Sequence, residues 1–352
     1  MIRRNSKQIF VGTTPVGGLA PVTVQTMTKT RTSDSKATIA EIKRLALCGC
    51  DIIRLAVPDM DAAHALKAIT EDSPIPVIAD IHFDHLLALA AVEMGADALR
   101  LNPGNIRSQD KIREVAAACK DKGIPIRVGV NAGSLDPEIA AKHGGVTPEA
   151  LAESALRETA FLEACNFSMI KIAVKAFDID IMRQAAKIVA ERTPYPMHLG
   201  VTESGLPEEG IIRSSIGIGS LLLDGIGDTI RVSLTGDSAA EIETGINILK
   251  ATGLRESGPV IVSCPTCGRT QVPLIEMANE VKKALKGLTA NIRVAVMGCA
   301  VNGPGEAAQA DYGIAGAKDS GLIFKKGKIL KTLKSSELVE ALVEEIRKEH
   351  TF

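Results

Sequence analysis

The chain has 352 residues, of which 45% are hydrophobic and 24% charged, and its formal net charge is −1. It is long enough for one large domain and one small one, and it carries no bulk charge that would favour nucleic acid or a membrane surface. It has no Trp, two Tyr and seven Phe, which argues against the stacking platforms that single-stranded nucleic acids need.

The N-terminus gives no targeting signal. The residues from Met1 to Ser6 include no apolar stretch after their charged pair, so they do not resemble a secretory signal. No run of about 18 apolar residues predicts a membrane span. Seven cysteines, an odd number, fit a reducing cytoplasm better than a disulfide framework. We therefore expect a cytoplasmic protein with neither nucleic acid nor a membrane as its partner.

Short apolar segments, each followed by a helical pattern, recur through most of the chain. Their spacing of roughly 25–45 residues is that of consecutive strand–helix units. The predicted strands are Val22–Met27, Asp51–Val57, Pro76–His82, Ala98–Asn102, Pro125–Asn131, Met169–Val174, Met197–Glu203 and Thr229–Thr235.

Amphipathic patterns between these strands predict helices. Strands that alternate with helices indicate right-handed βαβ units and a parallel sheet. Eight units in about 250 residues are typical of a (β/α)8 TIM barrel, in the α/β class. A doubly wound open sheet is the alternative, although no G-x-G-x-x-G follows the first strand. Examples of the predicted helices are Lys36–Leu47, Ile112–Lys122, Pro148–Ala164, Ile179–Glu191 and Ala239–Ala251.

The pattern changes near Ser257-Gly258-Pro259. The following mixture of strands and helices predicts a small α+β domain of about 90 residues. The predicted domains are therefore residues 1–257, a substrate-binding TIM barrel, and residues 258–352. The predicted elements of the second domain are strands at Val260–Ser263 and Arg293–Met297, two hairpin-like strands around Ile314 and at Lys325–Ile329, and helices at Leu274–Leu285 and Ser335–Glu349.

Basic side chains stand at the predicted strand ends, where the chemistry of a TIM barrel collects. A lone arginine buried in a strand is costly without a partner. Several arginines at one mouth would suit a planar, multiply charged anion, and phosphate is the obvious one. The alternative is a set of internal ion pairs with Asp80, Asp97 and Glu203. The four arginines are Arg54, Arg100, Arg127 and Arg231.

Three cysteines near the C-terminus indicate a metal site. Cys264-Pro265-Thr266-Cys267 supplies two thiols on one tight loop, and Cys299 lies in a later Gly/Pro-rich loop. Thiolates at this spacing suit zinc or an iron–sulfur cluster. A fourth ligand must come from another residue, from solvent or from a substrate. A structural zinc, or two unrelated turns, is the alternative to a reactive metal centre.

The residues around these motifs resemble the bacterial 4-hydroxy-3-methylbut-2-enyl diphosphate synthase family over nearly the whole chain. The segments that carry the resemblance are Cys264–Thr270, Val296–Ala307, Arg100–Asn105, Arg127–Asn131 and His198–Glu203. The resemblance implies a reductive opening of 2-C-methyl-D-erythritol 2,4-cyclodiphosphate with two electrons and loss of water, in non-mevalonate isoprenoid synthesis. It also implies flavodoxin or ferredoxin as electron donor and a head-to-tail homodimer that brings one chain's barrel mouth to the other's cluster.

The resemblance also implies roles for individual residues. A [4Fe-4S] cluster would be held by Cys264, Cys267, Cys299 and Glu306. Glu203 would deliver a proton to the departing hydroxyl, Asn302 would position the substrate, and Glu306 would yield its iron to substrate. Phe177 stands where the family is expected to have a small polar residue. The substrate-binding residues would be Arg54, Arg100, Asn102, Arg127, Asn131, Lys175, His198, Arg231 and Ser233.

Three rival interpretations remain open. The first is another TIM-barrel enzyme that acts on a phosphorylated or pterin substrate and has a structural zinc in its tail. The second is a non-catalytic iron–sulfur electron carrier, which would not need an anion-binding mouth. The third is a radical enzyme that uses S-adenosylmethionine, whose usual C-x-x-x-C-x-x-C is missing from the sequence.

Overall fold

The computed structural model describes residues 2–82, 84–101, 106, 108–256, 258–299 and 307–351. The chain divides into two compact units, Met1–Arg255 and Glu256–Phe352. Each unit has its own core of buried apolar side chains. Within the described ranges, no helix is both long enough and apolar enough to cross a membrane.

Two short antiparallel strands and eight parallel strands form the sheets of the first unit. The parallel strands hydrogen-bond in the order β8-β7-β6-β5-β4-β3-β10-β9. Ile172 and Met197 then bridge the two ends of this sheet, which nearly closes it into a barrel. The predicted TIM barrel is confirmed. The strands are β1 (Ile9–Val11), β2 (Thr14–Val16), β3 (Thr23–Met27), β4 (Ile52–Ala56), β5 (Val77–Asp80), β6 (Ala98–Leu101), β7 (Ile126–Asn131), β8 (Ile170–Lys175), β9 (His198–Leu199) and β10 (Thr229–Ile230).

The helices between the strands begin at recurring aspartate caps. Asp34, Asp59 and Asp178, for example, each accept a hydrogen bond from a backbone N–H in the first turn. Such caps satisfy N–H groups that have no partner inside the helix. The predicted helices are confirmed with small shifts at their ends. They are α1 (Ser35–Leu47), α2 (Met60–Asp72), α3 (His85–Glu93), α4 (Gln109–Lys122), α5 (Pro137–His143), α6 (Pro148–Ala164), α7 (Ile179–Arg192), α8 (Pro207–Leu223) and α9 (Ser238–Ala251).

The seventh and eighth barrel strands are shorter than predicted. The sequence predicts strands up to Glu203 and Thr235, but β9 ends at Leu199 and β10 at Ile230. Gly200 leaves no room for a side chain, because a Cβ there would lie 2.6 Å from the carbonyl oxygen of Arg231. The apolar residues beyond these points therefore lie in loops at the barrel mouth and do not extend the ladder of hydrogen bonds between the strands.

The hairpin of β1 and β2 covers the amino end of the barrel, and the sequence analysis did not predict it. Ile9 and Val11 pack with Ile52, Ile78 and Ala98 in one apolar cluster. The last three residues lie at or near the amino ends of β4, β5 and β6, two positions before the inward-facing polar residues of those strands. The hairpin therefore closes the end of the barrel opposite the mouth.

In its described residues, the second unit is a mixed five-stranded sheet with two α-helices. Its strands are ordered β11-β12-β13-β14-β15. The predicted strand Lys325–Ile329 is wrong, because Lys326 and Gly327 form a turn with φ of 47° and 75° between two longer strands. The elements are β11 (Val260–Ser263), α10 (Leu274–Ala284), β12 (Arg293–Met297), β13 (Tyr312–Gly316), β14 (Ser320–Lys325), β15 (Lys328–Lys334) and, after a 3-10 turn at Ser335–Glu337, α11 (Leu338–Arg347).

The hairpin contact makes a stability prediction. Ile9 is 3% exposed and its neighbour Phe10 is 53% exposed. Ile9→Ala should lower the free energy of unfolding of the barrel by about 2–5 kcal/mol, because it leaves a cavity in the apolar cluster. Phe10→Ala is the control and should change it by less than about 0.5 kcal/mol. Urea denaturation followed by far-ultraviolet circular dichroism measures both, and equal effects would contradict the packing.

Candidate active site

A row of charged side chains crosses four neighbouring barrel strands. Asp80 on β5 is the Cα partner of Arg100 on β6, which is the partner of Arg127 on β7. Arg127 is in turn the partner of Lys171 on β8. Side chains at partnered positions point to the same face of a sheet, and the residues flanking this row pack in the outer core. The four charged side chains therefore point into the barrel.

Asp80 is the carboxylate that binds two of the predicted arginines. Its oxygens lie 3.2 Å from Arg100 Nη1 and 3.6 Å from Arg54 Nε. His82 is also near, with Nε2 3.6 Å from the carboxylate and 3.0 Å from Arg100 Nη1. Burial alone would raise the pKa of Asp80, but His82 and the guanidinium groups outweigh it and hold that pKa well below its usual range. Asp80 is therefore ionised at neutral pH.

Gly129 makes room for the guanidinium groups on β6 and β7. A Cβ at Gly129 would lie 2.8 Å from Arg127 Nη1 and 3.3 Å from Arg100 Nε. Arg127 is 3% exposed, and among the described residues its Nε has no hydrogen-bond partner. Burial, with the charges of Arg54 and Arg100, lowers the pKa of Arg127. A bound anion would supply the missing hydrogen bond and offset the repulsion between the guanidinium groups.

The fourth arginine has a carboxylate partner that the sequence analysis missed. Arg231 Nη2 lies 3.5 Å from both oxygens of Glu241, in the first turn of α9. Glu241 also accepts hydrogen bonds from Thr26 Oγ1 at 2.5 Å and from the backbone N–H of Leu234 at 2.9 Å. In the sequence Glu241 looks like an ordinary first-turn glutamate, because only the closed barrel brings α9 against β3 and β10.

Lys175 and His198 extend the basic group across β8 and β9. Lys175 is the last residue of β8, and its Nζ lies 2.8 Å from the position of a Cβ on Gly200. His198 is fully buried two residues before Gly200, one layer deeper, and its Nδ1 lies 2.7 Å from Thr229 Oγ1. Burial, and then the neighbouring cations, lower the pKa of both side chains well below their usual values. His198 is therefore neutral at pH 7.

The charges named so far do not balance. Their excess of bases sits in a nearly closed barrel, where water screens it poorly. The site is electrostatically suited to a ligand with two or more negative charges, as the arginine pattern predicts. The alternative of internal ion pairs holds for Asp80, which pairs with Arg54 and Arg100, whereas Asp97 accepts a hydrogen bond from the backbone N–H of Val77. The bases are Arg54, Arg100, Arg127, Arg231, Lys171 and Lys175, and the carboxylates are Asp80 and Glu241.

Further predicted residues lie at the same end of the barrel. Asn131 ends β7 opposite Lys175 and is half-buried. Ser233 is half-buried shortly after β10. Asn102 lies outside the described residues. The assignment of these side chains to substrate binding stays a prediction.

Glu203 lies exposed in the loop after β9, with a φ of 56°. A non-glycine residue in this left-handed region is strained and needs its surroundings to hold it. The carbonyl of Ser204 accepts a hydrogen bond from Arg213 Nη1 at 2.9 Å. The guanidinium of Arg213 lies 4.8 Å from the ring centre of Phe177. Phe177 thus contributes, through Arg213, to holding the loop that carries Glu203.

The predicted cysteines of the second unit follow neighbouring strand ends. Cys264 directly follows β11, and Cys299 lies two residues after β12, its parallel neighbour. The backbone N–H of Gly298 donates to Cys264 Sγ at 3.3 Å. Cys267 and Thr270 exchange two hydrogen bonds across a tight turn. The three cysteines carry free thiols.

The donor set fits a thiolate-bound metal by its chemistry. The backbone hydrogen bond from Arg269, helped by its side chain and charge, lowers the pKa of Cys267 against the opposing effect of burial. The lowered pKa favours the thiolate that a metal needs. Within the described ranges, no three His, Cys, Asp or Glu side chains are placed to hold one metal ion. Asn302 and Glu306, the other predicted residues here, lie outside those ranges.

Fold and site together define a (β/α)8-barrel protein with a cluster of basic side chains at its strand ends and a separate unit that presents three free thiols. Comparison with known proteins agrees. Residues 6–246 match the GcpE TIM-barrel domain, and residues 260–348 match the GcpE protein C-terminal domain. The chain belongs to the GcpE family.

Curated relatives align with the chain almost end to end. Proteins from Thermodesulfovibrio yellowstonii and Clostridium acetobutylicum are each 53% identical over 98% of this chain and 99% of their own length. A Geobacter sulfurreducens protein is 52% identical over 99% of this chain and 98% of its own. All three are named 4-hydroxy-3-methylbut-2-en-1-yl diphosphate synthase (flavodoxin).

Solved structures share the barrel at low sequence identity. Dihydropteroate synthase from Yersinia pestis has a TM-score of 0.52 and 11% identity over 70% of this chain and 98% of that chain. 3-Dehydroquinate dehydratase from Geobacillus kaustophilus has a TM-score of 0.52 and 14% identity over 71% and 99%. These likenesses support the barrel fold alone.

The tight space at Gly129 makes a binding prediction. Gly129→Ala should push the guanidinium groups of Arg100 and Arg127 apart and weaken anion binding roughly tenfold or more. Gly219→Ala is the matched control, because a Cβ at Gly219 on α8 meets nothing within 4 Å. Isothermal titration with sulfate measures the affinity of both variants. Equal affinities would mean that the two guanidinium groups do not bind the anion.

Proposed function

We propose that this chain catalyses the reductive opening of 2-C-methyl-D-erythritol 2,4-cyclodiphosphate to 4-hydroxy-3-methylbut-2-enyl diphosphate, in the methylerythritol phosphate pathway of isoprenoid synthesis. The observation that carries the proposal is the end-to-end identity of 53% with relatives of that name. The strand-end bases support it independently, because the substrate presents two linked phosphates and the site presents an excess of positive charge.

The conversion balances with two electrons and one proton. The bond between C2 and its phosphate oxygen breaks, and the oxygen leaves as part of the diphosphate. The hydroxyl on C3 leaves as water after it takes up a proton. A double bond then joins C2 and C3. The enzyme must therefore hold the diphosphate, provide electrons and protonate one hydroxyl.

The barrel residues would hold the diphosphate. Arg54, Arg100, Arg127 and Arg231 present guanidinium groups to one interior, and Asp80 and Glu241 hold three of these groups by ion pairs. Fixed donors of this kind bind charge without reorganising during the reaction. Lys175 would add an ammonium group, and Asn102, Asn131, His198 and Ser233 would position the remaining substrate oxygens.

Glu203 would supply the proton. It lies in the exposed loop at the mouth, with its backbone held in a strained conformation. A carboxyl group there can approach the C3 hydroxyl while the diphosphate is bound deeper in the barrel. General acids of this type contribute about 10²–10⁴-fold to the rate.

A [4Fe-4S] cluster would be held by Cys264, Cys267, Cys299 and Glu306. When bound, it would supply single electrons and a Lewis-acidic iron. Asn302, in the same segment, would position the substrate, and the carboxylate of Glu306 is a harder and more labile ligand than a thiolate. The relatives' name supports flavodoxin as the electron donor, with ferredoxin as the other candidate. We further propose that the chain forms a head-to-tail homodimer, in which each barrel mouth meets the partner subunit's cluster. We also propose that the protein works in the cytoplasm.

Metal analysis tests the cluster. Anaerobically purified protein should contain about four iron and four sulfide ions per chain and absorb in the visible range. Cys267→Ala should lose most of this iron, whereas Cys48→Ala, which removes an exposed thiol from the barrel unit, should keep it. Stoichiometric zinc, with no iron gained on anaerobic reconstitution, would instead support a phosphate-substrate barrel enzyme with a structural zinc tail.

Substitution of the proposed acid tests the proton step. Glu203→Gln should lower kcat roughly 10²-fold or more while substrate affinity changes little, because the amide cannot donate an acidic proton. Glu209→Gln, an exposed glutamate at the start of α8, is the control and should keep kcat within about twofold. Assay with reduced flavodoxin measures both variants. Full activity of Glu203→Gln would remove Glu203 from the mechanism.

A further inference from the structure

Lys171 is the one member of the charged row for which the proposed mechanism has no use. Its side chain is 1% exposed inside the barrel. Within the described part of the chain, its Nζ has no hydrogen-bond partner. It is the Cα partner of Arg127, and it precedes Lys175 on β8 by four residues, which are two repeats of the strand alternation. It therefore lies beside Arg127 and deeper in the barrel than Lys175.

The charges around Lys171 are mostly positive. Arg127 on β7 and Arg54 on β4 disfavour an ammonium there, and Asp228, just before β10, favours it. Lys175 follows Lys171 on β8. The charge of Lys171 also contributes to lowering the pKa of His198 on β9. Asp228 is already bonded to Ser6 and to the backbone of Met197. Arg100 and Arg231 add positive charge nearer the mouth.

A buried amine in this setting gives up its proton easily. Burial, followed by the charges of Arg127 and Arg54, lowers the pKa of Lys171 to about 7. The guanidinium groups stay protonated, because arginine does not lose its proton in this pH range. In the free barrel, Lys171 and Lys175 are thus the two amines that lose a proton most easily. Of the two, Lys171 is the deeper, and within the described residues its Nζ has no hydrogen-bond partner. An anion bound nearer the mouth would reduce the positive charge around Lys171 and so favour its protonated form.

We propose that binding of the anionic substrate draws one proton from solvent onto Lys171, so that the barrel adjusts its own positive charge to its occupancy. Lys171 is then a positioning residue that acts through the bases above it and does not touch substrate. The identity of the anion rests on the proposed function, whereas the binding of an anion near these bases does not.

The sign of the pH dependence follows from linkage. Below pH 7, Lys171 is protonated in the free and the bound states, so no proton is taken up and affinity does not vary. Above pH 7, the free barrel loses the proton and the bound barrel keeps it. Uptake then approaches one proton, and affinity falls by up to tenfold per pH unit until the pH passes the raised pKa of the bound state.

The proposed substrate is a clean probe for this effect. Each phosphorus of a cyclic diphosphate carries a single, strongly acidic oxygen, so the ligand does not titrate between pH 6 and 9. Isothermal titration of the oxidised holoenzyme without electron donor measures binding with no turnover. Repeating it in buffers of different ionisation enthalpy, without phosphate, gives the number of protons taken up at each pH.

Two variants of Lys171 test the proposal, and variants of other basic residues serve as controls. Lys171→Met should take up almost no proton at pH 8.5, and its affinity should be flat with pH. Lys171→Arg keeps a permanent charge, so it should also take up no proton but bind at pH 8.5 as tightly as at pH 6. Lys43→Met, an exposed lysine on α1, should behave as the wild type. His198→Asn separates any contribution of the neighbouring imidazole, and Lys175→Arg, which keeps a permanent charge, separates that of the second buried amine.

Each outcome has one meaning. Uptake of about one proton by the wild type and its loss in both Lys171 variants would support the proposal. Undiminished uptake in Lys171→Met would overturn it, as would wild-type binding without uptake at pH 8.5. If the cyclodiphosphate does not bind at any pH, the proposed function fails. Sulfate, which does not titrate in this range, then tests Lys171 in the same experiment.

Discussion

The barrel has to hold positive charge in a place where water cannot screen it. Arg100 and Arg127 are Cα partners on adjacent strands, so the ladder itself forces two guanidinium groups together. The structure limits the resulting repulsion with only a few devices. Asp80 pairs with two arginines, and Glu241 on α9 pairs with Arg231. Gly129, which has no side chain, leaves room for the guanidinium groups. The charge left over is what makes the mouth a binding site, since a ligand can complete the pairing that the protein leaves open.

The same constraint connects the rest of the molecule to the site. The carboxylate of Glu241 also accepts from Thr26 on β3 and from the backbone after β10. Stability of the closed barrel and the orientation of Arg231 therefore depend on one side chain. The loop with Glu203 is held separately, through Arg213 and Phe177. The proposed binding groups are thus fixed mainly by the strands, whereas the loop of the proposed acid is held by a contact with helix α8.

Much of this architecture follows from sequence, because it depends on local pattern. Apolar strands, helix caps and the spacing of the units predict the barrel, and the position of arginines at strand ends predicts their convergence. Glu241 and the β1–β2 hairpin escaped prediction, since their roles arise from contacts between distant segments. The early ends of β9 and β10 escaped for a related reason: Gly200 and the carbonyl of Arg231 meet only after the barrel closes.

The hairpin at the amino end gives the barrel the shape of a blind well. Ile9 and Val11 close the amino end with an apolar cluster, so within the described residues the mouth is the open end of the interior. A molecule that occupies the basic layer must leave by the route through which it entered. Arrival of the next substrate and departure of the product therefore cannot overlap in time, and a compound bound in the mouth would block both. Passage of substrate and product through the mouth is therefore a separate step from the chemistry.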